Sequence, residues 1–508
     1  MTTPFSTARD AVSGLLAVGT ALAAGELVAA ASGRESSPYF AVGSTLVDHM
    51  PADIREWAIE TFGTSDKTAL FVGMGAAIAV LAACVGPLER RRAPAGAVVI
   101  AVFALVGMAA ALDRPSASAA FAWPSIVAGL VGVLVLRLLM ASADPTPGIA
   151  PGSPLTRRFV LTAGAVAVAA VAAGALARTL LTDTSRTVAD RARLLLPAAA
   201  HPAPPVPPGA DLPELGGANT FVTGTGDFYR IDTALQVPAL STDTWRLRVH
   251  GMVEHEFTIG WDELLAMPMT ERLITLTCVS NGIGGDLIGN ARWLGVPMRE
   301  LLKRAGVHPG ADMLLSTSAD GWTAGTPVAV IGDGRDALLA VGMNGGPLPL
   351  EHGYPVRQVI PGLYGYVSAT KWVVDWELTT FDKATAYWTD RGWSAKGPIK
   401  LASRIDRPTK TEQDAGDIVL AGTAWMQYTG IAGVRIRIDD GPWQQAQLAA
   451  DYSDDTWRLW HFTWRATPGR HRVECRAVGK NGEVQTEKKA DPVPDGATGL
   501  HSRSYIVR

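Results

Sequence analysis

No histidine falls in any of the long apolar runs of this sequence; the first of its 9 histidines, His49, stands in a polar stretch. That absence excludes a haem b held by paired histidines within a helical bundle. Cysteine is nearly missing as well, with Cys84, Cys278 and Cys475 the only 3. Three thiols make neither a disulfide scaffold nor a four-cysteine iron–sulfur set, and no C-x-x-C-H is present for haem c. The sequence leaves a Cys278–Cys475 bridge open, which would remove Cys278 from chemistry. No glycine-rich dinucleotide fingerprint follows a convincing strand. Charge is close to balanced, with a formal net charge of -3 and 18% charged residues, so nothing points to a nucleic-acid partner.

What is abundant is alanine, valine, glycine and leucine, concentrated before Leu181. Five apolar runs there, Val12–Ala31, Thr68–Val85, Ala95–Leu112, Phe121–Met140 and Phe159–Leu181, are each near the ~20 residues that cross a bilayer. A cleaved signal is the alternative for the first, but four further runs favour a true span. Arg90, Arg91, Arg92, Arg137, Arg157 and Arg158 fall on one side, which the positive-inside rule makes the cytoplasm. Everything after Leu181 is then expected outside the cytoplasmic membrane. Thr156–Leu161 reads TRRFVL, similar to a twin-arginine export signal, although on spacing alone an ordinary positive-inside pair is the favoured reading. Glu26 is the one acid well inside a run, read as facing another helix or snorkelling rather than as functional. Anchoring is the expected role of this part, because the runs carry almost no polar residues to line a transport path.

At 508 residues the chain exceeds one ordinary domain. Residues 182–196 are expected to form a short amphipathic helix along the membrane surface. Pro197–Pro213 follows as a semi-rigid, extended spacer. Beyond it, Trp245, Leu247 and Val249 alternate with Arg246, Arg248 and His250 as a half-buried strand. Pro297 and Gly306 bracket a helix with Leu301, Leu302 and Ala305 on one face. This mixture predicts an α+β domain. After about Pro398 the pattern is all strand. Val434, Ile436 and Ile438 lead into an Asp440–Gly441 turn, and Val473, Cys475 and Ala477 into an Asn481–Gly482 turn. That spacing predicts an immunoglobulin-type β-sandwich, with Cys475 in its core. The expected order is a five-helix transmembrane domain over 1–181, a linker over 182–215, the α+β domain over 216–395 and the sandwich over 396–508.

Cys278 ends an apolar strand and opens a glycine- and asparagine-rich loop in TLTCVSNGIGGDLIGNARW. A lone thiol there is a candidate nucleophile or soft-metal ligand, or a small buried hydrophobe. The surrounding segments resemble the sulfite oxidase family of molybdenum enzymes. GNARWLGVPMRELLKRAGV, HGYPVRQVIPGLYGYVSATKW, DFYRID, DGWTAGTP, GTAW and GATGLHSRSYIV carry the resemblance, which covers roughly residues 216–508 and none of the apolar runs. It implies a mononuclear molybdenum centre with one pterin, Cys278 being the metal ligand. Arg357 is implied to pair with the pterin phosphate, its fork suiting that role. Ser368, Thr370, Lys371, His352, Ser318, Asp232 and Asn281 are implied to contact or shape the cofactor site. Arg230 and Trp322 are implied to lie by the metal with catalytic roles. The last domain is implied to dimerise.

Two departures stand out. Sulfite-oxidising members carry C-x-G-N-x-R, whereas here Ile283 takes the arginine position. Trp322 replaces a tyrosine of the D-G-Y-T loop and has no titratable hydroxyl. Both argue against a plain sulfite oxidase and leave oxygen-atom transfer intact. The expectation is a membrane-anchored oxidoreductase acting on a small sulfur- or nitrogen-containing substrate, with a cytochrome or quinone as electron partner. The alternative is a membrane-anchored binding protein with a degenerate molybdopterin site.

Overall fold

The structure, a computed structural model, describes residues 4–51, 54, 57, 61–62, 66–114, 117–143, 157–181, 184–212, 220–234 and 236–508. Thr156 of the twin-arginine-like stretch, linker positions 182–183 and 213–215, and Gly216, the expected start of the α+β domain, lie outside the described residues. The chain divides into two compact units, Met1–Ser185 and Arg186–Arg508.

The first unit contains α1 (Pro4–Ser32), α2 (Pro38–Asp48), α3 (Asp66–Arg91), α4 (Ala95–Leu112), α5 (Trp123–Ala143) and α6 (Arg157–Leu181). Five stretches are long and apolar enough to cross a membrane: Thr7–Ser32, Lys67–Arg91, Ala95–Leu112, Ala119–Ala143 and Arg157–Thr179. They match the expected runs in order. Helices α1 and α3 meet backbone to backbone, since a Cβ at Gly86 would stand 1.8 Å from the Asp10 carbonyl oxygen. At the same end of the unit Arg90 pairs with Asp10 at 3.5 Å, Arg137 with Glu89 at 3.4 Å, and Arg9 donates to the Ala143 carbonyl at 2.8 Å. Glu26 accepts a hydrogen bond from Ser37, whose hydroxyl also caps α2 at Phe40 N, so it faces a neighbouring element as expected.

In the second unit, the short helix and the semi-rigid extended spacer expected from sequence are both held against the folded domain. In α7 (Thr184–Arg193), Asp190 accepts from Thr242 N at 3.0 Å and from the Tyr354 hydroxyl at 2.8 Å. Arg191 donates to the Leu348 carbonyl at 2.7 Å. Further along, Glu271 N donates to His201 O, Tyr452 Oη to Pro204 O and Ala450 N to Gly209 O. Proline gives up its N–H but keeps its carbonyl, so a proline-rich segment can be held through its oxygens.

Ten strands follow: β1 (Arg246–Gly251), β2 (Phe257–Gly260), β3 (Thr270–Thr277), β4 (Ile288–Pro297), β5 (Met313–Ser318), β6 (Thr323–Pro327), β7 (Leu338–Met343), β8 (Gly346–Pro347), β9 (Arg357–Val359) and β10 (Val373–Thr379). One sheet runs β2-β1-β10-β5-β6 and the other β3-β4-β7-β8, with β9 also on β7. Trp245, Leu247 and Val249 are buried as their alternation predicts. Met298–Ala305 is the expected helix, closed by left-handed Gly306 at φ 65°. The last nine strands are β11 (Ala402–Arg407), β12 (Glu412–Gln413), β13 (Gly416–Trp425), β14 (Ile431–Ile438), β15 (Gln444–Gln445), β16 (Gln447–Leu448), β17 (Arg458–Ala466), β18 (Gly469–Gly479) and β19 (His501–Val507). They form sheets β11-β13-β17-β16 and β12-β19-β18-β14-β15, which enclose one core containing Leu420, Trp460, Val434, Ile436 and Cys475. Cys475 accepts from the Ser403 hydroxyl at 3.3 Å, and both it and Cys278 are free thiols, so the bridge left open by sequence does not form.

Candidate active site

Strand β3 delivers Cys278 to the head of a loop that returns into β4. The loop closes on itself: Cys278 N donates to Leu287 O at 2.9 Å, and Asn281 Oδ1 accepts from Leu287 N at 3.0 Å. Asn281 therefore shapes this loop from within. Cys278 is buried, and burial pushes its thiol up against the pull of Ser280.

The segment His352–Trp372 packs beside it. A Cβ at Gly365 would stand 3.9 Å from the Thr277 carbonyl and 4.0 Å from the Tyr229 hydroxyl, which brings three chain segments together. Tyr229 stacks on Phe228 with centroids 5.2 Å apart, and Phe228 meets Trp293 and His352 edge-on. Burial pushes the Tyr229 hydroxyl up, and Cys278 adds to this while Arg357 opposes it. No hydrogen bond joins that hydroxyl to another described residue.

Arg357 is 5% exposed, and its fork donates to the carbonyls of His352 at 3.0 Å, Gln358 at 3.4 Å and Ala369 at 3.4 Å. Its guanidinium lies 5.0 Å from the Trp293 ring centroid. Among the described residues no carboxylate forms an ion pair with it, and burial lowers its pKa to about 10. Lys371 Nζ donates to Asp232 at 2.8 Å and to the Glu351 carbonyl at 3.0 Å. Burial pulls Lys371 down to about 8 against the opposing effect of Asp232. Asp232 also receives Arg230 at 2.9 Å. His352 is held down to about 3 by burial and then by Arg357 and Lys371, so its ring is neutral at ordinary pH. Burial raises Asp320, while the Ser318 hydroxyl draws it down.

Other expected residues have different partners. Ser368 donates to the Leu363 and Tyr364 carbonyls, and Thr370 pairs with Ser316 at 2.6 Å. Trp322 N donates to Asp320 at 3.3 Å and its carbonyl accepts from Ser318 N, so Trp322 is tied to its own hairpin. Among the described residues, it makes no hydrogen bond to the Cys278 loop. Sequence reasoning missed Tyr229, whose only signal was its place inside DFYRID. It also missed the grip of the last domain on this loop. Gln427 Nε2 donates to Thr277 Oγ1 at 2.8 Å, Arg404 to the Gly285 carbonyl at 2.6 Å, and the His501 ring fills the space where a Gly284 side chain would be.

Residues 234–388 match the model of the oxidoreductase molybdopterin binding domain. The uncharacterized oxidoreductase YuiH of Bacillus subtilis is 31% identical over 153 residues, which is 30% of this chain and 74% of that protein. The chain belongs to the sulfite oxidase family of molybdopterin-dependent oxidoreductases. Within the family, rat mitochondrial sulfite oxidase is 27% identical over 309 residues, covering 50% of this chain and 56% of that enzyme. The human enzyme is 28% identical over 316 residues, with the same coverage of each. The chain thus spans just over half the length of these relatives. The sulfane dehydrogenase SoxCD of Paracoccus pantotrophus shares the fold with a TM-score of 0.51 at 23% identity, over 57% of this chain and 85% of that one.

Proposed function

We propose that this chain is a membrane-anchored oxidoreductase that holds a mononuclear molybdenum centre with one pterin at Cys278. The observation that carries this reading is Arg357, a buried guanidinium whose hydrogen bonds, among the described residues, all go to backbone carbonyls, in a domain that also buries the lone thiol Cys278. A buried cation without an acid partner is costly, and a cofactor phosphate would offset that cost through the guanidinium fork. Among the described residues no group of three or more His, Cys, Asp or Glu could hold a metal. A soft ligand such as Cys278 therefore suits a metal that brings most of its donors with it. When bound, such a centre supplies two-electron oxygen-atom exchange with a small substrate. Arg357 and Lys371 would hold the phosphate, Lys371 as a point charge. Asp232 keeps Lys371 and Arg230 in place, and neutral His352 adds no charge to the pocket. Asn281, Gln427 and Arg404 fix the loop that presents the thiol. The named activities of the mammalian relatives and of SoxCD concern sulfur compounds, which favours a sulfur-containing substrate. A cytochrome or quinone would exchange the electrons. The site would face the extracytoplasmic side, with Arg157 and Arg158 serving orientation or twin-arginine export. The C-terminal sheets would act as an immunoglobulin-type dimerisation module.

The test is to measure molybdenum and pterin in protein purified from its own membranes, beside Cys278→Ser. Stoichiometric molybdenum, with one sulfur fewer around it in the variant by X-ray absorption, is expected. Metal-free protein from cells that make the cofactor would overturn the reading and leave a binding role.

A further inference from the structure

Every backbone carbonyl from Pro347 to His352 receives a hydrogen bond, and the donors come from two ends of the chain. At one end of this turn Arg357 donates to His352 O at 3.0 Å, Lys371 Nζ to Glu351 O at 3.0 Å and Trp372 Nε1 to Leu350 O at 2.9 Å. In the middle the turn closes on itself, with His352 N and Tyr354 N both donating to Pro349 O. At the other end the donor is Arg191 of helix α7. Its Nε reaches Leu348 O at 2.7 Å and its Nη2 reaches Pro347 O at 3.0 Å. Helix α7 precedes residues 234–388, which match the family model.

Asp190, the neighbour of Arg191, grips the same turn through a side chain. Its carboxylate accepts from the Tyr354 hydroxyl at 2.8 Å, and is itself fixed by Thr242 N at 3.0 Å and Thr242 Oγ1 at 3.1 Å. Tyr354 is fully buried in a cluster with Phe228, Trp293 and Leu348, and Leu194 packs on that cluster from the end of α7. Beside Tyr354, Gly353 lies at φ 109°, where a Cβ would stand 3.0 Å from Arg357 Cβ and 3.1 Å from Lys371 Cβ. The turn and the two cations are thus in contact, and in a close-packed interior a displacement of one is passed to the other.

We infer that Asp190 and Arg191 are positioning residues for the cofactor site, and that α7 is a latch on it. Docked, the latch holds the turn Pro347–Tyr354, so that Arg357 and Lys371 stand ready for the cofactor phosphate. Undocked, it lets the turn and both cations move, and the cofactor leaves faster. A site keeps its working geometry only when the residues behind it are themselves fixed. The inference rests on the molybdenum reading above and adds to it two residues outside the matched region.

The test follows pterin loss on dialysis from full-length loaded protein, for Arg191→Ala and Tyr354→Phe beside Tyr452→Phe. Tyr452 donates to the Pro204 carbonyl at 3.0 Å, so its variant loosens the spacer after α7 without touching the turn. Pterin loss is expected to quicken about five- to tenfold in the first two variants, part of what a lost hydrogen bond to a charged group carries. Tyr452→Phe should stay within about twofold of the parent protein, as the loss of one neutral hydrogen bond elsewhere would leave it. Hydrogen exchange of residues 347–357 in protein produced without the cofactor should rise in the same two variants and not in Tyr452→Phe. If Arg191→Ala does not fold, Tyr354→Phe, which loses a single oxygen, decides. Pterin loss and exchange at the parent rates despite a lowered melting temperature would overturn the inference alone, making α7 a structural brace. Equal acceleration by Tyr452→Phe would do the same, since the effect would then be general loosening. Absence of molybdenum from the parent protein would overturn it together with the reading beneath it.

Discussion

Arg357 and His352 show how far single side chains carry the argument. Arg357 uses its planar fork on carbonyls and, among the described residues, keeps its charge without an acid. Lysine in its place would retain the charge and lose the fork. Arg357→Lys is therefore expected to fold normally and to retain molybdenum and pterin about 10- to 100-fold more weakly, the equivalent of ~1.5–3 kcal/mol for a lost charged hydrogen bond. Pterin fluorescence against dialysis time checks this, and full retention would remove Arg357 from the phosphate site. His352 gives a pH signature. Its folded pKa of about 3 lies below the ordinary 6.5 because of burial, Arg357 and Lys371. Between those two values the unfolded chain takes up a proton that the folded chain refuses. Stability is thus fully present above about pH 6.5 and is lost as pH falls towards 3, with a slope approaching ~1.4 kcal/mol per pH unit. Urea unfolding of protein produced without the cofactor should show that slope reduced by one proton's worth when His352→Gln is added, with no difference in slope between the two above pH 7.

At the scale of elements, the Cys278 loop is held from two domains at once. Gly284 sits at φ 76°, and a Cβ there would come within 2.4 Å of the His501 ring. Gly284→Ala should cost about 2 kcal/mol or more, through backbone strain and displacement of the ring. The melting temperature should fall by several degrees. The paired expectation is that His501→Ala in the Gly284→Ala background recovers part of the loss, since it removes the collision and leaves only the strain. No recovery would show that His501 does not brace the loop. The elements themselves were largely legible. Strand β1, the helix Met298–Ala305 and the β14 and β18 hairpins announce themselves through periodicity and through Pro297, Gly306 and Gly482 at their ends. The grip of Gln427 and Arg404 on the loop was not legible, because it joins residues more than a hundred positions apart and leaves no local period. The docking of residues 194–212 was hidden for a different reason: its hydrogen bonds use the segment's own backbone N–H and carbonyl groups, which carry no sequence signal. Among the candidate site residues, Arg357, Lys371, Asp232 and His352 interact with one another, while Ser368 and Trp322 are engaged in their own turns.

For the whole molecule, the decisive question is on which side of a membrane the second unit stands. Within the first unit, Arg9, Arg90 and Arg137 gather at one end with Asp10 and Glu89. Helix α6 begins with Arg157 and Arg158 and runs for 25 residues, long enough to cross. Basic residues favour the cytoplasmic side, so α6 should start there and release the chain on the other side. Protease added to intact spheroplasts is then expected to remove the second unit and leave a membrane-bound fragment ending near Leu181. The same protease should spare an epitope at the N-terminus until the membrane is opened. Digestion only after lysis would place the second unit in the cytoplasm. It would also reverse the physical argument, because the arginine-rich end would then face outward and the pairs with Asp10 and Glu89 would serve packing alone.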